Sequence, residues 1–178
     1  MRGVDLKGYN NGTTSLIVDA QNNSRTWAVA VGAGVSTGYA AAEGAAAKTT
    51  GKNDTEAVVE KYPTKTNNIN NASSIQVQAK DNTVEKTVAG SIGVAAGQKA
   101  MASIGGAVAY TSVGNSGTDK QKVRAELSDA TITTAAGAAV NVEAHNTAYV
   151  LSLALGGAVR VNTDQKPGIS AQGSVSEV

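Results

Sequence analysis

Apolar and polar residues alternate in three stretches of this chain. At residues 15–23 the alternate apolar positions are Leu16, Val18 and Ala20; at 74–82 they are Ile75, Val77 and Ala79; at 139–147 they are Val140, Val142 and Ala144. The residues between them are mostly polar, and each stretch runs into an Asx residue: Asn22, Asp81 or Asn146. Alternation of period two predicts strands with one buried and one wet face, and an Asx residue is turn chemistry. Val77 and Val142 are therefore expected inside, and Gln78 and Glu143 outside. Val18, Val77 and Val142 are the equivalent centres of the three copies, so the second spacing is slightly longer than the first. At the same offset past each central valine a second apolar, small-residue stretch is entered, at Val29, Val88 and Leu153. The chain is an internal repeat, with copies near 15–50, 72–121 and 139–165.

Between the copies the pattern predicts more short strands. Residues 27–35 alternate well enough for one. Residues 40–48 are alanine-rich, which favours helix on propensity. Their counterparts 103–108 hold a glycine pair and β-branched residues, so strand and turn are expected in both places. Residues 1–14 read as an irregular N-terminal edge, with 15–178 as the repeat segment. The polar run 49–71, with Pro63, reads as a projecting loop around a short strand at 57–59. Residues 111–122 read as a second loop, with strong turn chemistry at 114–119. Short strands are expected at 123–127 and 130–134, divided by Ser128 and Asp129, and the span from Val123 to Val140 as one coil. Short strands at such close and regular intervals, with turn signals between them, indicate an all-β protein. Stacked parallel coils would place Val, Ile and Ala in inward ladders, and Asn22, Asp81 and Asn146 in a polar ladder.

Composition sharpens this picture. The 178 residues include no Phe, one Trp and two Met, and 41% are hydrophobic. Val, Ile and Ala suggest a thin interior between closely approaching backbones, in place of an aromatic core. The net charge of +1 is dispersed, so no nucleic-acid-binding or membrane-binding surface is indicated. There is no Cys, hence no disulfide or thiolate site. No signal peptide is recognisable at the start, and the least polar run, 148–159, is too short to span a bilayer. A chain that starts and stops within a repeat looks like an excised fragment.

Residues 123–134 and 140–148, with 74–82 and the Ala/Gly stretch 90–109, resemble the large secreted filamentous adhesins of Gram-negative bacteria. The likeness is to the filamentous haemagglutinin-type and leukotoxin group. It covers residues 74–162, and 15–48 more loosely. It implies a right-handed parallel β-helix with projecting loops, displayed outside the cell on the bacterial surface as part of a longer secreted chain. The implied role is a non-catalytic structural or adhesive segment. Its partner would be a host-cell or bacterial surface protein or glycan.

Candidate chemistry is sparse. His145 is the only His, so a His-based metal site or triad lacks partners. The glycines at 32–34 and 93–97 lack nucleotide-loop spacing, and Gly105-Gly106-Ala107-Val108 does not continue as a calcium-binding repeat. Thr131-Ile132-Thr133 makes one rung of an ice-binding ladder, with no second rung to stack on it. Glu56 with Glu60, and Glu126 with Asp129, are the carboxylate pairs a glycosidase would need, yet acids do not recur on one face. No catalytic residue, cofactor or metal is assigned. Sequons at Asn11, Asn22, Asn53 and Asn71 read as chance matches in an Asn-rich chain. Outward column residues read as small or singly charged, which leaves binding to the loops and to Tyr62, Tyr110, Asn115 and Asp119. Two other functions fit the pattern less well: the head of a trimeric autotransporter adhesin, from Ser91-Ile92-Gly93 and Ser103-Ile104-Gly105, and a polysaccharide-active β-helix enzyme.

Overall fold

The computed structural model describes residues 2, 5–7, 13–114, 120–164 and 167–178. Among them are nine strands and no helix: β1 (Asp5–Lys7), β2 (Thr14–Ser36), β3 (Ala40–Gly51), β4 (Asp54–Val59), β5 (Asn67–Ala96), β6 (Ala102–Val113), β7 (Lys122–Leu127), β8 (Ala130–Val161) and β9 (Ile169–Glu177). The alanine-rich run is strand β3. It pairs in parallel with β6 from Ala40↔Ala102 to Gly51↔Val113, so ladder pairing overrides the helix propensity of alanine. The chain makes three passes: β2 to β4, β5 to β7, and β8 to β9.

Equivalent strands of successive passes lie side by side. β6 pairs in parallel with β9 (Ala102↔Ile169) and β4 with β7 (Asp54↔Lys122). β5 is bonded to β2 and β8, and to β1 at Asn68–Asn70. Side-chain bonds run across these pairs at fixed sequence separations. Asn22 donates to Asp81, Ser24 to Thr83 and Asn82 to Asn23, each 59 residues apart, and Gln78 to Glu143, 65 apart. A constant separation is what parallel register gives. These are also the two spacings of the sequence repeat, from Val18 to Val77 and from Val77 to Val142.

The expected short coil from Val123 to Val140 is not found; the parallel partners are a whole pass apart. Val123 pairs with Thr55 in the β4–β7 sheet, whereas Val140 lies on β8, which pairs with β5. The turns expected at the Asx positions are absent as well. Asn22 and Asp81 bond to each other, leaving their local backbone free to stay extended, so β2 and β5 run on through the predicted turns. The loop expected at 49–71 is also mostly strand. β3 reaches Gly51, β4 follows, and β5 starts at Asn67, leaving 60–66 as the connection. Polarity there does not mean exposure: Asn67 is buried and donates to the Ser128 carbonyl at 3.3 Å. Within the N-terminal edge, β1 is regular strand. Asp129, between β7 and β8, has φ 48, the left-handed conformation that Asx tolerates.

The chain divides into two compact units. One comprises Met1–Ser24, Lys52–Thr83 and Asn115–Ala148; the other Arg25–Gly51, Val84–Gly114 and Tyr149–Val178. In the first unit, Leu16, Ile69, Ala72, Ile75, Val77 and Ala79 pack against Ala57 and Val59 of β4. Each fully buried Val or Ile contributes about 1.5–3 kcal/mol. Val77 is buried as expected, and Glu143 is exposed. Gln78 is buried instead of solvated, because its amide bridges Gln76 and the Glu143 carboxylate. Val142 lies on the same side of the sheet as Val77 but is 45% exposed. Within this unit, among the described residues, β4 and β7 face the sheet of β2, β5 and β8, and of β8 it is Ile132 that packs against the core.

The second unit has a different interior. Thr87, Ala89, Ser91 and Ala95 of β5 are buried with Ser103, Ala107, Ala109 and Thr111 of β6. A Cβ on Gly93 would stand 2.5 Å from the Ile104 carbonyl oxygen, and one on Gly32 2.6 Å from that of Gly44. Facing sheets normally stand about 10 Å apart, which leaves room for large side chains. Here backbone nearly meets backbone, and hydroxyls satisfy the facing carbonyls. Ser103 Oγ donates to Gly93 O at 2.6 Å, and Thr87 Oγ1 to Tyr110 O at 3.2 Å. This spacing admits no Phe.

Candidate functional site

Of the four residues assigned to binding, Tyr62 lies in the first unit and Tyr110 in the second. Tyr62 is exposed in the 60–66 connection, where the Lys65 N–H donates to the Tyr62 carbonyl at 2.9 Å. Tyr110 is half-buried on β6 in the second unit, with the ammonium of its register partner Lys48 5.1 Å from the ring centroid. Asn115 and Asp119 lie outside the described residues. The carboxylates weighed for glycoside chemistry are each engaged by a cation. Glu60 pairs with Arg2 at 2.6 Å, Glu56 with Lys122 at 2.7 Å, Asp129 with Lys61 at 3.5 Å, and Glu126 with Arg124. The Lys122 hydrogen bond holds Glu56 below the usual carboxylate range against the opposing effect of desolvation. His145 is exposed beside the Thr147 hydroxyl. Among the described residues, no group of three His, Cys, Asp or Glu side chains is placed to hold a metal. No helix among them is long and apolar enough to cross a membrane.

The concentration of recognition chemistry lies on the outward side of the second unit's long strands. Because only small residues fit between the sheets, the large ones alternate outward. Trp27, Val29, Val31 and Val35 of β2 are exposed, as are Tyr149, Leu151, Leu153 and Leu155 of β8. Between them β5 presents Lys86, whose Nζ lies 4.9 Å from the Trp27 ring centroid and 5.5 Å from that of Tyr149. A cation between two aromatic faces gains about 0.5–1 kcal/mol per contact at an exposed site. It also holds both rings on one rung. Farther along β5, Gly90 leaves a furrow of about 320 Å³ lined by Val31, Ile92 and Leu155.

Reading outward residues as small or singly charged missed this face. Its signal was present: Lys86 follows Trp27 by the same offset as Val77 follows Val18, the repeat spacing itself.

Two buried carboxyls have opposite surroundings. In the first unit Asp81 accepts from Thr83 Oγ1 (2.6 Å) and Gln121 Nε2 (2.8 Å) through one oxygen, and from Asn22 Nδ2 (2.8 Å) and Thr55 Oγ1 (2.9 Å) through the other. Burial alone would raise its pKa, but these donors together lower it. In the second unit Glu85 is fully buried with neither oxygen hydrogen-bonded, lying against the Cα of Gly51. Burial pushes its pKa up, opposed only by the smaller effect of the neighbouring Thr26 hydroxyl.

No protein-family model, curated protein or solved structure matches this chain.

Proposed function

We propose that this chain is a non-catalytic structural and adhesive segment, part of the shaft of a bacterial surface filamentous adhesin built as a right-handed parallel β-helix. Three passes in parallel register, with repeat spacings that reappear as ladder bonds, support the helical reading. The resemblance of residues 74–162 to filamentous haemagglutinin-type adhesins supports the extracellular setting. The observation that carries an adhesive role is the exposed face around Trp27, Lys86 and Tyr149. It joins a broad apolar strip to an aromatic pair, the residue types that dominate binding hot spots. The partner is a host-cell or bacterial surface protein or glycan.

The test is binding of the purified chain to cells and to an array of surface glycans. Replacing Trp27 and Tyr149 together by Ala should abolish binding, since neither ring is buried in a core. Replacing residues 60–66 by a short Gly-Asn turn should leave it intact. Binding that survives the aromatic double substitution, or turnover of pectin- or alginate-like polymers, would overturn the proposal. A left-handed path in a crystal structure would overturn its β-helix handedness.

A further inference from the structure

In the second unit each pass turns a corner, between β2 and β3, between β5 and β6, and between β8 and β9. Hydrogen bonds tie these corners together. The Tyr39 carbonyl accepts from the Met101 and Ala102 N–H groups at 2.8 and 3.1 Å, and the Met101 carbonyl from the Ile169 N–H at 2.8 Å. The Ala100 carbonyl accepts from Asn162 Nδ2 at 3.0 Å and from the Arg160 guanidinium at 3.2 Å. At the corners lies a hollow of about 200 Å³ lined by Tyr39, Gln98, Lys99, Met101, Asn162 and Pro167. All three passes contribute to it, and it depends on no strand beyond them.

The groups in this hollow exceed what a change of direction requires. Gly97, at φ 128, supplies the backbone freedom for the turn of the second pass. Tyr39 and Met101 are nevertheless 60% and 57% exposed, and Pro167 is exposed with them, so an aromatic ring, a thioether and a pyrrolidine are turned to solvent. The Lys99 ammonium stands 5.9 Å from the Tyr39 ring centroid and pairs with no described carboxylate. Gln98 is exposed, and its amide makes no hydrogen bond to a described residue. Asn162 is held at both ends of its amide, with Oδ1 accepting from the Asp164 N–H at 2.8 Å, and so forms a fixed wall.

We propose that this hollow binds one carboxylate-bearing sugar unit, a uronic acid or sialic acid residue of a glycan. Its volume is below the roughly 300–1,000 Å³ of sites for drug-sized ligands and suits a single ring. A pyranose carries C–H bonds on its faces and hydroxyls round its edge. A face matches the Tyr39 ring, Met101 and Pro167. The edge matches the Gln98 amide, which offers both donors and an acceptor. The carboxylate answers the unpaired Lys99 ammonium, which the Tyr39 ring keeps at the hollow. A wholly apolar ligand would cover the ammonium and the amide without partners, which costs their desolvation. A neutral sugar would leave the ammonium unmatched. The hollow shares no residue with the face at Trp27, Lys86 and Tyr149 and does not rest on the adhesive role assigned to that face.

The experiment is an NMR titration of the whole chain, following backbone amide signals, with glucuronic acid and with N-acetylneuraminic acid. Glucose and N-acetyl-aspartate amide are the controls. Saturable shifts at Tyr39 and at 98–101 are expected with at least one of the acids, with a Kd on the order of 1–10 mM, as a single ring-sized ligand allows. The tighter of the two acids identifies the source of the sugar. Glucose should bind at least about tenfold more weakly. Lys99→Gln should weaken the acid at least about tenfold and leave glucose unaffected, while Lys99→Arg retains the acid. Tyr39→Leu should weaken acid and glucose alike; the exposed Lys99 carries the test if that variant does not fold. Replacing Trp27 and Tyr149 together by Ala should change none of this, and loss of the acid in that variant would place the sugar on the outer face instead. No binding of either acid, equal binding of glucose, or unchanged affinity in folded Lys99→Gln would each overturn the site. So would N-acetyl-aspartate amide binding as tightly as the sugars, since the occupant would then be an acidic peptide.

Discussion

Asn22 Nδ2 donates to Asp81 Oδ2 at 2.8 Å across 59 residues of sequence. The bond ties the first pass to the second inside the fold, and three further donors converge on the same carboxylate. Asp81→Ala would leave these donors without their acceptor, with Thr55 and Thr83 themselves buried. The expected loss is roughly 3 kcal/mol, measurable by urea denaturation.

Asp81 also sets an acid limit. Its folded pKa lies below the ordinary 3.8, so its contribution is complete above that pH. It is lost as pH falls from 3.8 through the lower folded value. Asp81→Asn should abolish that part of the acid sensitivity while lowering stability at neutral pH. A wild-type acid limb unchanged in the variant would exclude Asp81 as its source.

Glu85 has the opposite sign. Its folded pKa is raised above the ordinary 4.5, so the carboxyl stays protonated in the fold after the unfolded chain has ionised. Its stabilising balance is complete below pH 4.5 and falls as pH rises through the folded value. Glu85→Gln should flatten that limb and be the more stable protein at neutral pH. Denaturation series for both proteins from acid to neutral pH provide the check. Parallel curves would mean that Glu85 finds a partner in solution.

Val77 and Val142 occupy equivalent places in the sequence repeat but not in the fold. Val77→Asp buries an unpaired charge in the core and should cost roughly 4 kcal/mol or prevent folding. Val142→Asp places its charge at an exposed edge and should change stability by less than about 1 kcal/mol. Equal losses on thermal melting would mean that a strand covers β8 in solution.

That contrast shows what the sequence made legible. The spacing of Val18, Val77 and Val142 revealed the passes, because residues in register on neighbouring parallel strands project to the same side of one sheet. Strand direction at Val77 followed from alternation alone. Val142 did not, since alternation gives a side of the sheet but not whether another strand lies opposite. The face at Trp27 and Tyr149 was misread for a related reason. Apolar residues usually mark the inside, but where two backbones nearly touch, Ala, Gly and Ser go inside and the large residues outside. Glu85 could not have been found from its neighbours in sequence, because Gly51, against which it lies, comes from another pass.

The close approach of the sheets in the second unit can be tested at two of its glycines. A Cβ on Gly105 would overlap the Gly157 carbonyl group, which is backbone and cannot swing aside. Gly105→Ala must therefore force the strands apart, breaking hydroxyl-to-carbonyl bonds such as Ser103 to Gly93. A loss of about 1–3 kcal/mol is expected, typical of overpacking. At Gly90 a Cβ would meet nothing within 4 Å, and φ is not in the left-handed region. Gly90→Ala should be neutral or stabilise by about 0.5 kcal/mol, because alanine loses less backbone freedom on folding. Urea denaturation of the two variants separates the cases. If Gly105→Ala were as harmless as Gly90→Ala, the sheets would have to stand far enough apart for ordinary side chains, and the missing Phe and abundant Ala would need another cause.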